Sequence, residues 1–469
     1  MSDPDILRSH RPMLWLVAVA VFMQMLDTTI VNTALPSMAA SLGQSPLRMQ
    51  AVVVAYALTV AMLIPASGWL SDRFGTRRVF FTAIALFTAG SLACALSPSL
   101  SWLVASRVLQ GVGGAMLLPV GRLAVLRSVP REDFLAAMTF VTVPGLIGPL
   151  VGPSLGGWLV DVASWHWIFL INLPLGVAGA LATLRWMPDL RLHVGRFDLL
   201  GYVLLAFGMV AVSLSVDALS GHDARRVAVI VLLVGGLAAI AAYWLHAARA
   251  SAPLFPLSLF AVRSYGVGVI GNLFARLGSG GMPYLIPLLL QVGLGFPAMR
   301  AGMMMIPVAA AGMFSKRIVV PLVERFGYRR VLVVNTVLTG LVMASFALIE
   351  PGRPLWLHVV HFAVFGAVNS LQFTAMNTLT LRDLDGERAS AGNSLLSMVM
   401  MLSVSLGVAI AGGLLAAFGG NTRGEPVLAA FRWTFVCIGM VTAASAAIFA
   451  QIEPTRRIPE QVVGSADQA

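Results

Sequence analysis

An aspartate at position 27 sits in the sequence LDTTIVNTALP, past the middle of an apolar run over 13–35. A carboxylate at the centre of a membrane helix costs about 2.5–3.5 kcal/mol, so it needs a partner, a water-filled cavity or a proton. Gln24, Asp27, Thr28 and Val31 share one helical face, which reads as the wall of a polar cavity. Reversible protonation is the simplest chemistry such a position offers. In RVLQGVGGA, Arg107 and Gln110 lie one turn apart just inside the fourth apolar run. A buried arginine there must be paired, and the small surface of Gly111, Gly114 and Ala115 lets another helix come close.

Two further arginines lie well inside apolar runs, Arg122 in LPVGRLAVL and Arg276 in NLFARLGSGG. Arg122 is about 22 Å from Arg107 along a helix axis, so the two cannot share one small partner. Against the single acid Asp27, the three arginines leave an excess of positive charge, which favours an anion and repels a cationic drug. Gln24, Asn32, Arg122, Arg276, Asn369 and Gln372 are the candidate substrate contacts. His358 and His361 share a stripe with Asn369 and Gln372, but no carboxylate or thiolate completes a metal set, and hydrogen bonding within the bundle is the expectation.

The decapeptide LSDRFGTRRV at 70–79 recurs as LVERFGYRRV at 322–331, an offset of 252 residues. Charge alone would anchor a loop to a membrane surface. Keeping the order acid, Arg, Phe, Gly twice predicts paired gates formed by Asp72, Arg73, Gly75, Arg77 and Arg78 and by Glu324 and Arg325. The arginines can pair across the loop or meet lipid headgroups, and Gly75 permits a tight turn. Gly148, Gly152 and Gly156 repeat every fourth residue in GLIGPLVGPSLGGW, with Pro149 and Pro153 between them, so this helix is expected to pack tightly and to bend.

These residues need a scaffold, and composition dictates its kind. Of 469 residues 58% are hydrophobic and 11% charged, against roughly 25% charged in a soluble domain. A bilayer core takes about 20 apolar residues per span. Runs near 13–35, 49–70, 79–97, 101–126, 134–160, 165–187, 197–217 and 226–247 are followed by 263–290, 299–320, 330–350, 354–380, 391–418 and 430–451, which predicts fourteen spans. With both termini cytoplasmic, 21 of the 31 lysines and arginines fall inside and 7 outside, as the positive-inside rule requires. The first run lacks a small-residue cleavage site and is expected to remain as a span.

The offset carries the first span onto the ninth. It divides the chain into a six-helix bundle over 1–190, an inserted helix pair over 191–262 and a second six-helix bundle over 263–469, an all-α integral membrane architecture. Repeats of this kind place a substrate site between halves near the bilayer midplane. Scattered basic residues exclude a nucleic-acid surface. No Walker A, HExxH or GxSxG motif occurs in a suitable context, so a membrane enzyme is disfavoured and no cofactor or metal is expected. A sensor would need a soluble output domain, and none is visible. Cys94 and Cys437 stand apart in apolar runs and offer no disulfide framework.

The signatures LDTTIVNTALP, GWLSDRFGTRR, RVLQGVGGA, GPLVGPSLGG and WIFLINLPLG stand in order along the chain. On these the chain resembles the major facilitator superfamily, and within it the fourteen-span drug:proton antiporters of the EmrB and QacA type, nearest the MdtD-like multidrug transporters. The resemblance implies proton-coupled efflux by alternating access in the bacterial inner membrane. It implies Asp27 as the proton-carrying acid, Arg107 as a coupling residue, Asp72 with Arg73 and Arg77 as a cytoplasmic latch, and the glycines and prolines from Gly148 to Gly156 as the antiporter hinge. RFDLLG, before the seventh span, resembles the lead into the family's extra helix pair. The implied partners are a small-molecule substrate, protons and lipids, with the chain acting as a monomer open to accessory efflux proteins. A facilitator or symporter of an organic anion is the alternative. Arg122 and His166 depart from the family pattern, which commonly has a neutral residue and an arginine at these places.

Overall fold

The computed structural model describes residues 4–130, 132–192, 195–218, 226–419 and 425–452. Arg131, Arg225, Arg423, Arg456 and Arg457, which belong to the counts of inner and outer basic residues, lie outside them. Thirteen helices among the described residues are long and apolar enough to cross a membrane. The first six are α1 (His10–Ser41), α2 (Pro46–Phe74), α3 (Thr76–Ala95), α4 (Leu100–Ser128), α5 (Ala136–Val162) and α6 (Trp167–Trp186). Two more follow, α7 (Leu199–Ala218) and α8 (Val227–Ala247), and then α9 (Arg263–Gly293), α10 (Ala298–Leu348), α11 (Leu355–Leu381), α12 (Arg388–Gly419) and α13 (Val427–Phe449).

Thirteen separate helices of membrane length stand against the fourteen apolar runs, and the reason is local. The runs at 299–320 and 330–350 fall inside one 51-residue stretch, α10. Helical hydrogen bonding runs up to Gly327 from both sides, and only that residue leaves the helical region, at φ 76° and ψ 155°. Its counterpart Gly75 has φ 95° and ψ 142° and ends α2 outright. Both halves of the sequence repeat thus bend the chain at a left-handed glycine, a conformation that costs a side-chain-bearing residue heavily.

In lipid there is little hydrophobic reward for bringing helices together, so close approach and interhelical hydrogen bonds decide the packing. Span α5 lies along α1, where a Cβ at Gly148 would stand 2.8 Å from the Leu26 nitrogen and one at Gly156 2.7 Å from Ile30. Despite Pro144, Pro149 and Pro153 the helix is continuous from Phe134 to Val162; proline's fixed φ is itself helical, and the bend expected from the sequence does not break it.

The end of the molecule bearing Gly75 and Gly327 is called here the turn end, the opposite one the far end. At the far end both halves share one core, in which Leu35, Val52 and Phe169 pack with Leu285, Leu289 and Phe435. Nearer the turn end each bundle has a cluster of its own, Val17, Phe80 and Leu117 in one and Val319, Leu332 and Met376 in the other, while Leu58 of α2 packs with Val269 of α9 and Met398 of α12 across the halves.

The inserted helices α7 and α8 are pinned by Asp198 in RFDLLG. Its carboxylate accepts from His246 Nε2 (2.7 Å), the Gly201 N–H (2.9 Å) and the Leu254 N–H (3.0 Å). Burial alone would raise the Asp198 pKa, but these donors outweigh it and hold the carboxyl below its ordinary range. A depressed carboxylate contributes stability above its unfolded pKa and loses it as pH falls through the folded one. Asp198→Ala should therefore loosen this helix pair by about 3 kcal/mol at neutral pH. Hydrogen exchange of α7 and α8 would register it, and unchanged protection would refute the anchoring role.

Candidate functional site

Asp27 is completely enclosed, and both its oxygens are used. Arg107 Nη1 donates to Oδ2 at 2.7 Å, while Gln110 Nε2 and Asn172 Nδ2 donate to Oδ1 at 2.8 and 3.3 Å. Arg107 is 2% exposed. Its Nε reaches the Val52 carbonyl at 3.3 Å and its guanidinium stacks 4.3 Å from the Tyr56 ring centroid. Gln110 also donates to Ser91 at 2.8 Å. One ion pair therefore gathers α1, α2, α3, α4 and α6. Desolvating two charges costs several kcal/mol each, and only such dense hydrogen bonding offsets it.

Asp27 thus faces the interior of the first bundle; it does not line an open cavity wall as its helical face suggested. Gln24 donates to the Gly114 carbonyl at 2.9 Å and Asn32 to the Thr28 carbonyl at 3.2 Å, each 6% exposed. Tyr56, Ser91 and Asn172 were not singled out from sequence. The signal available was a lone polar residue in an apolar run, which Ser91 and Asn172 both are.

At the turn end, Asp72 pairs with Arg127 at the end of α4 (2.6 Å), not with Arg73, Arg77 or Arg78. The chain leaving α6 explains this, because it occupies the inside of the turn. Arg77 Nε donates to the Met187 carbonyl (2.6 Å), Thr76 Oγ1 to the Pro188 carbonyl (2.5 Å), and the Leu192 N–H to the Asp72 carbonyl (3.2 Å). Arg73 and Arg78 are left exposed. The second turn is not a copy of the first. Glu324 and Arg325 are exposed without an ion pair among the described residues, and Arg382 is held by Asp383 at 2.9 Å.

In the second half Arg276 is 7% exposed and meets no carboxylate among the described residues. Asn272 Oδ1 accepts from its Nε (3.1 Å), Asn377 Oδ1 from its Nη2 (3.4 Å), and the Phe373 ring lies 3.8 Å beneath it. Arg122 is exposed and has no ion pair among the described residues. Gln372 is enclosed and spends its amide on Asn335 (2.8 Å) and Thr336 (2.6 Å), whereas Asn369 is half-buried with a free Oδ1. His361 meets Ser345 Oγ at 2.9 Å.

The halves meet at the far end through features the sequence reading overlooked. Gly302 lies against the Pro153 carbonyl and Gly157 against that of Ala298, a backbone-to-backbone seam between α5 and α10. Gln291 donates to the Thr33 carbonyl (2.9 Å), and Asp161 accepts from the Met299 N–H (2.8 Å). Beside the seam, Asp217 of α7 accepts from Gln50 of α2 at 2.8 Å, and Ser213 meets Ser405 of α12 at 3.2 Å.

The family profile described as Major Facilitator Superfamily matches residues 17–384 and 268–467. The "Putative multidrug resistance protein MdtD" of Serratia proteamaculans (strain 568) is 55% identical over 442 residues, 94% of this chain and 93% of that protein. Its namesake in Cronobacter sakazakii (strain ATCC BAA-894) is 54% identical over 451 residues, 96% of each. Among solved structures, a POT family transporter in complex with 5-aminolevulinic acid aligns with TM-score 0.70 at 14% identity, over 93% of this chain and 94% of its own. A bacterial homologue of the human lysosomal transporter Spinster, inward-facing and unoccupied, aligns with TM-score 0.68 at 17% identity, over 96% and 97%. At these identities the solved structures show the fold alone.

Proposed function

Because the chain belongs to the major facilitator superfamily, and is a multi-pass membrane transporter and not an enzyme, we propose that it is a proton-coupled exporter of small molecules working by alternating access. One observation carries the reading: the enclosed Asp27–Arg107 pair at 2.7 Å. A proton on Asp27 would turn an acceptor of three hydrogen bonds into a donor facing Arg107 and would cancel the attraction between them. The group that holds α1 to α4 is therefore also the group that protonation releases, which is what coupling requires.

The break at Gly327 divides α10 into two spans, giving fourteen, arranged as bundles over 1–190 and 263–469 with the inserted pair over 191–262. By the charge bias the turn end is cytoplasmic, as are both termini, in the inner membrane. The far-end core shared by both halves supports reading this conformation as inward-facing. The pair of Asp72 with Arg127 lies within the first bundle, so the turn serves switching by keeping α2, α3 and α4 moving as one body. The close-packed glycines from Gly148 to Gly156 let α5 roll on α1. Asp72→Asn should slow turnover about five-fold, the worth of a partly exposed pair near 1 kcal/mol, with little change in substrate affinity. A large affinity loss at unchanged turnover would place Asp72 in the binding site instead.

The relatives' name suggests multidrug export, but the charge balance favours an anionic cargo. Asp27 and Arg107 cancel each other, leaving Arg122 and Arg276 as net positive charge inside the spans. Transport into everted vesicles, with a pH dye read as substrates are added, tests the whole reading. Substrate-dependent release of protons from acidified vesicles is expected. Substrate movement without any proton flux would overturn antiport in favour of a facilitator.

A further inference from the structure

At the turn end of the first bundle, away from the Asp27 cluster, a cavity of about 190 Å³ opens where four elements converge. His10 and Met13 of α1, Arg77 of α3, Ser128 of α4 and Trp186 with Pro188 after α6 line it. It is smaller than the roughly 300–1,000 Å³ typical of drug-sized ligands.

The polar lining is made of donors in search of an acceptor. Arg77 spends only its Nε, on the Met187 carbonyl, which leaves Nη1 and Nη2 without a partner among the described residues. Ser128 Oγ is buried and has no hydrogen-bond partner among the described residues. His10 and Trp186, each with a ring N–H, also line it, and no acid does among the described residues. An unsatisfied buried donor costs about 1–3 kcal/mol. One tetrahedral anion with several oxygens answers all of these donors, and paired guanidinium nitrogens match phosphate geometry. The cavity also lies where α1, α4 and α6 end, the depth at which basic pockets between helices and interfacial tryptophans meet headgroups.

We propose that this cavity binds a phosphate group, carried by an anionic phospholipid or free in solution. Bound there, the anion would join the start of α1 to the same turn and the same end of α4 that Asp72 and Arg127 link. The proposal is independent of the transported substrate.

Its test uses the full chain purified in phosphate-free detergent. Phosphatidylglycerol is titrated and bound lipid counted by native mass spectrometry, with a phosphate-free glycosyl diacylglycerol as control. Inorganic phosphate is added as competitor and, separately, in melting experiments. One saturable phosphatidylglycerol per chain is expected, weakened about ten-fold or more by Arg77→Gln and several-fold by Ser128→Ala, from the usual worth of charged and neutral hydrogen bonds. Ser128→Ala removes no hydrogen bond within the protein, so it keeps the test meaningful should Arg77→Gln fold poorly. Lipid that millimolar phosphate does not displace identifies the headgroup as the ligand. Displacement together with a phosphate-raised melting temperature identifies the free ion. Equal binding of the glycolipid, or binding of either probe indifferent to both variants, would overturn the assignment.

Discussion

Asp27→Asn is expected to leave the chain in the membrane yet unable to accumulate substrate against a gradient. The asparagine keeps the size of the side chain and one acceptor, so Gln110 and Asn172 retain a partner. Arg107, 2% exposed, loses its only counter-charge among the described residues. Breaking one side of a buried ion pair costs about 3–5 kcal/mol, because the remaining charge is left uncompensated. The variant should therefore melt earlier, and a loss of transport on its own would be ambiguous. Asp27→Asn combined with Arg107→Gln separates the two effects: removing both charges should recover much of the stability without restoring uphill transport. Exchange of labelled for unlabelled substrate across the membrane, which needs no proton, should persist in whichever variant is stable. Full proton-driven accumulation by Asp27→Asn would sink the assignment of Asp27 as the coupling acid.

That experiment turns on a pairing the sequence did not disclose, although every member of it was visible. Asp27 and Arg107 each stood out as a charge in an apolar run, and each demanded a partner. Periodicity assigns a residue to a face of its own helix, but whether that face meets a cavity or another helix depends on how helices distant in sequence are rotated. Gln110, one turn from Arg107, proved to be the second donor to the same carboxylate. Ser91 and Asn172 carry no charge, so nothing in their local sequence sets them above other polar residues in spans. The turn illustrates the converse. The glycine requirement was legible in both copies of the decapeptide, and Gly75 and Gly327 do share a left-handed conformation. The partner of Asp72 was hidden, because Arg127 counts as an ordinary positive-inside arginine until α4 is seen to end beside the turn. Lengths and positions of the spans were read well from apolar runs. The boundary between the tenth and eleventh runs was a different matter, since a single residue outside helical geometry separates a loop from a kink at Gly327.

Arg276 supplies the other large effect, through a charge left without an answer. Its guanidinium is buried against Asn272, Asn377 and the Phe373 ring, all neutral, at 3.1, 3.4 and 3.8 Å. A purely structural arginine in such a place would ordinarily be paired, since amide oxygens and a ring face compensate desolvation only in part. On the proposed anionic cargo, a ligand would bring the missing negative charge, and Asn377 beside the guanidinium is half-buried. Arg276→Gln should then reduce export of a carboxylate-bearing substrate by about ten-fold or more, the worth of a charge-assisted hydrogen bond near 1.5–3 kcal/mol. Arg276→Lys should recover part of it, since the charge returns without the planar fork. Stability gives the decisive second readout. If the arginine serves the cargo, replacing it by glutamine removes an uncompensated charge, and the empty protein should melt at the same temperature or higher. If it serves the fold, the same change should lower the melting temperature and depress transport of every substrate alike. Export of lipophilic cations by the wild type, with anion transport indifferent to Arg276→Gln, would show that the positive interior is not read by the substrate at all.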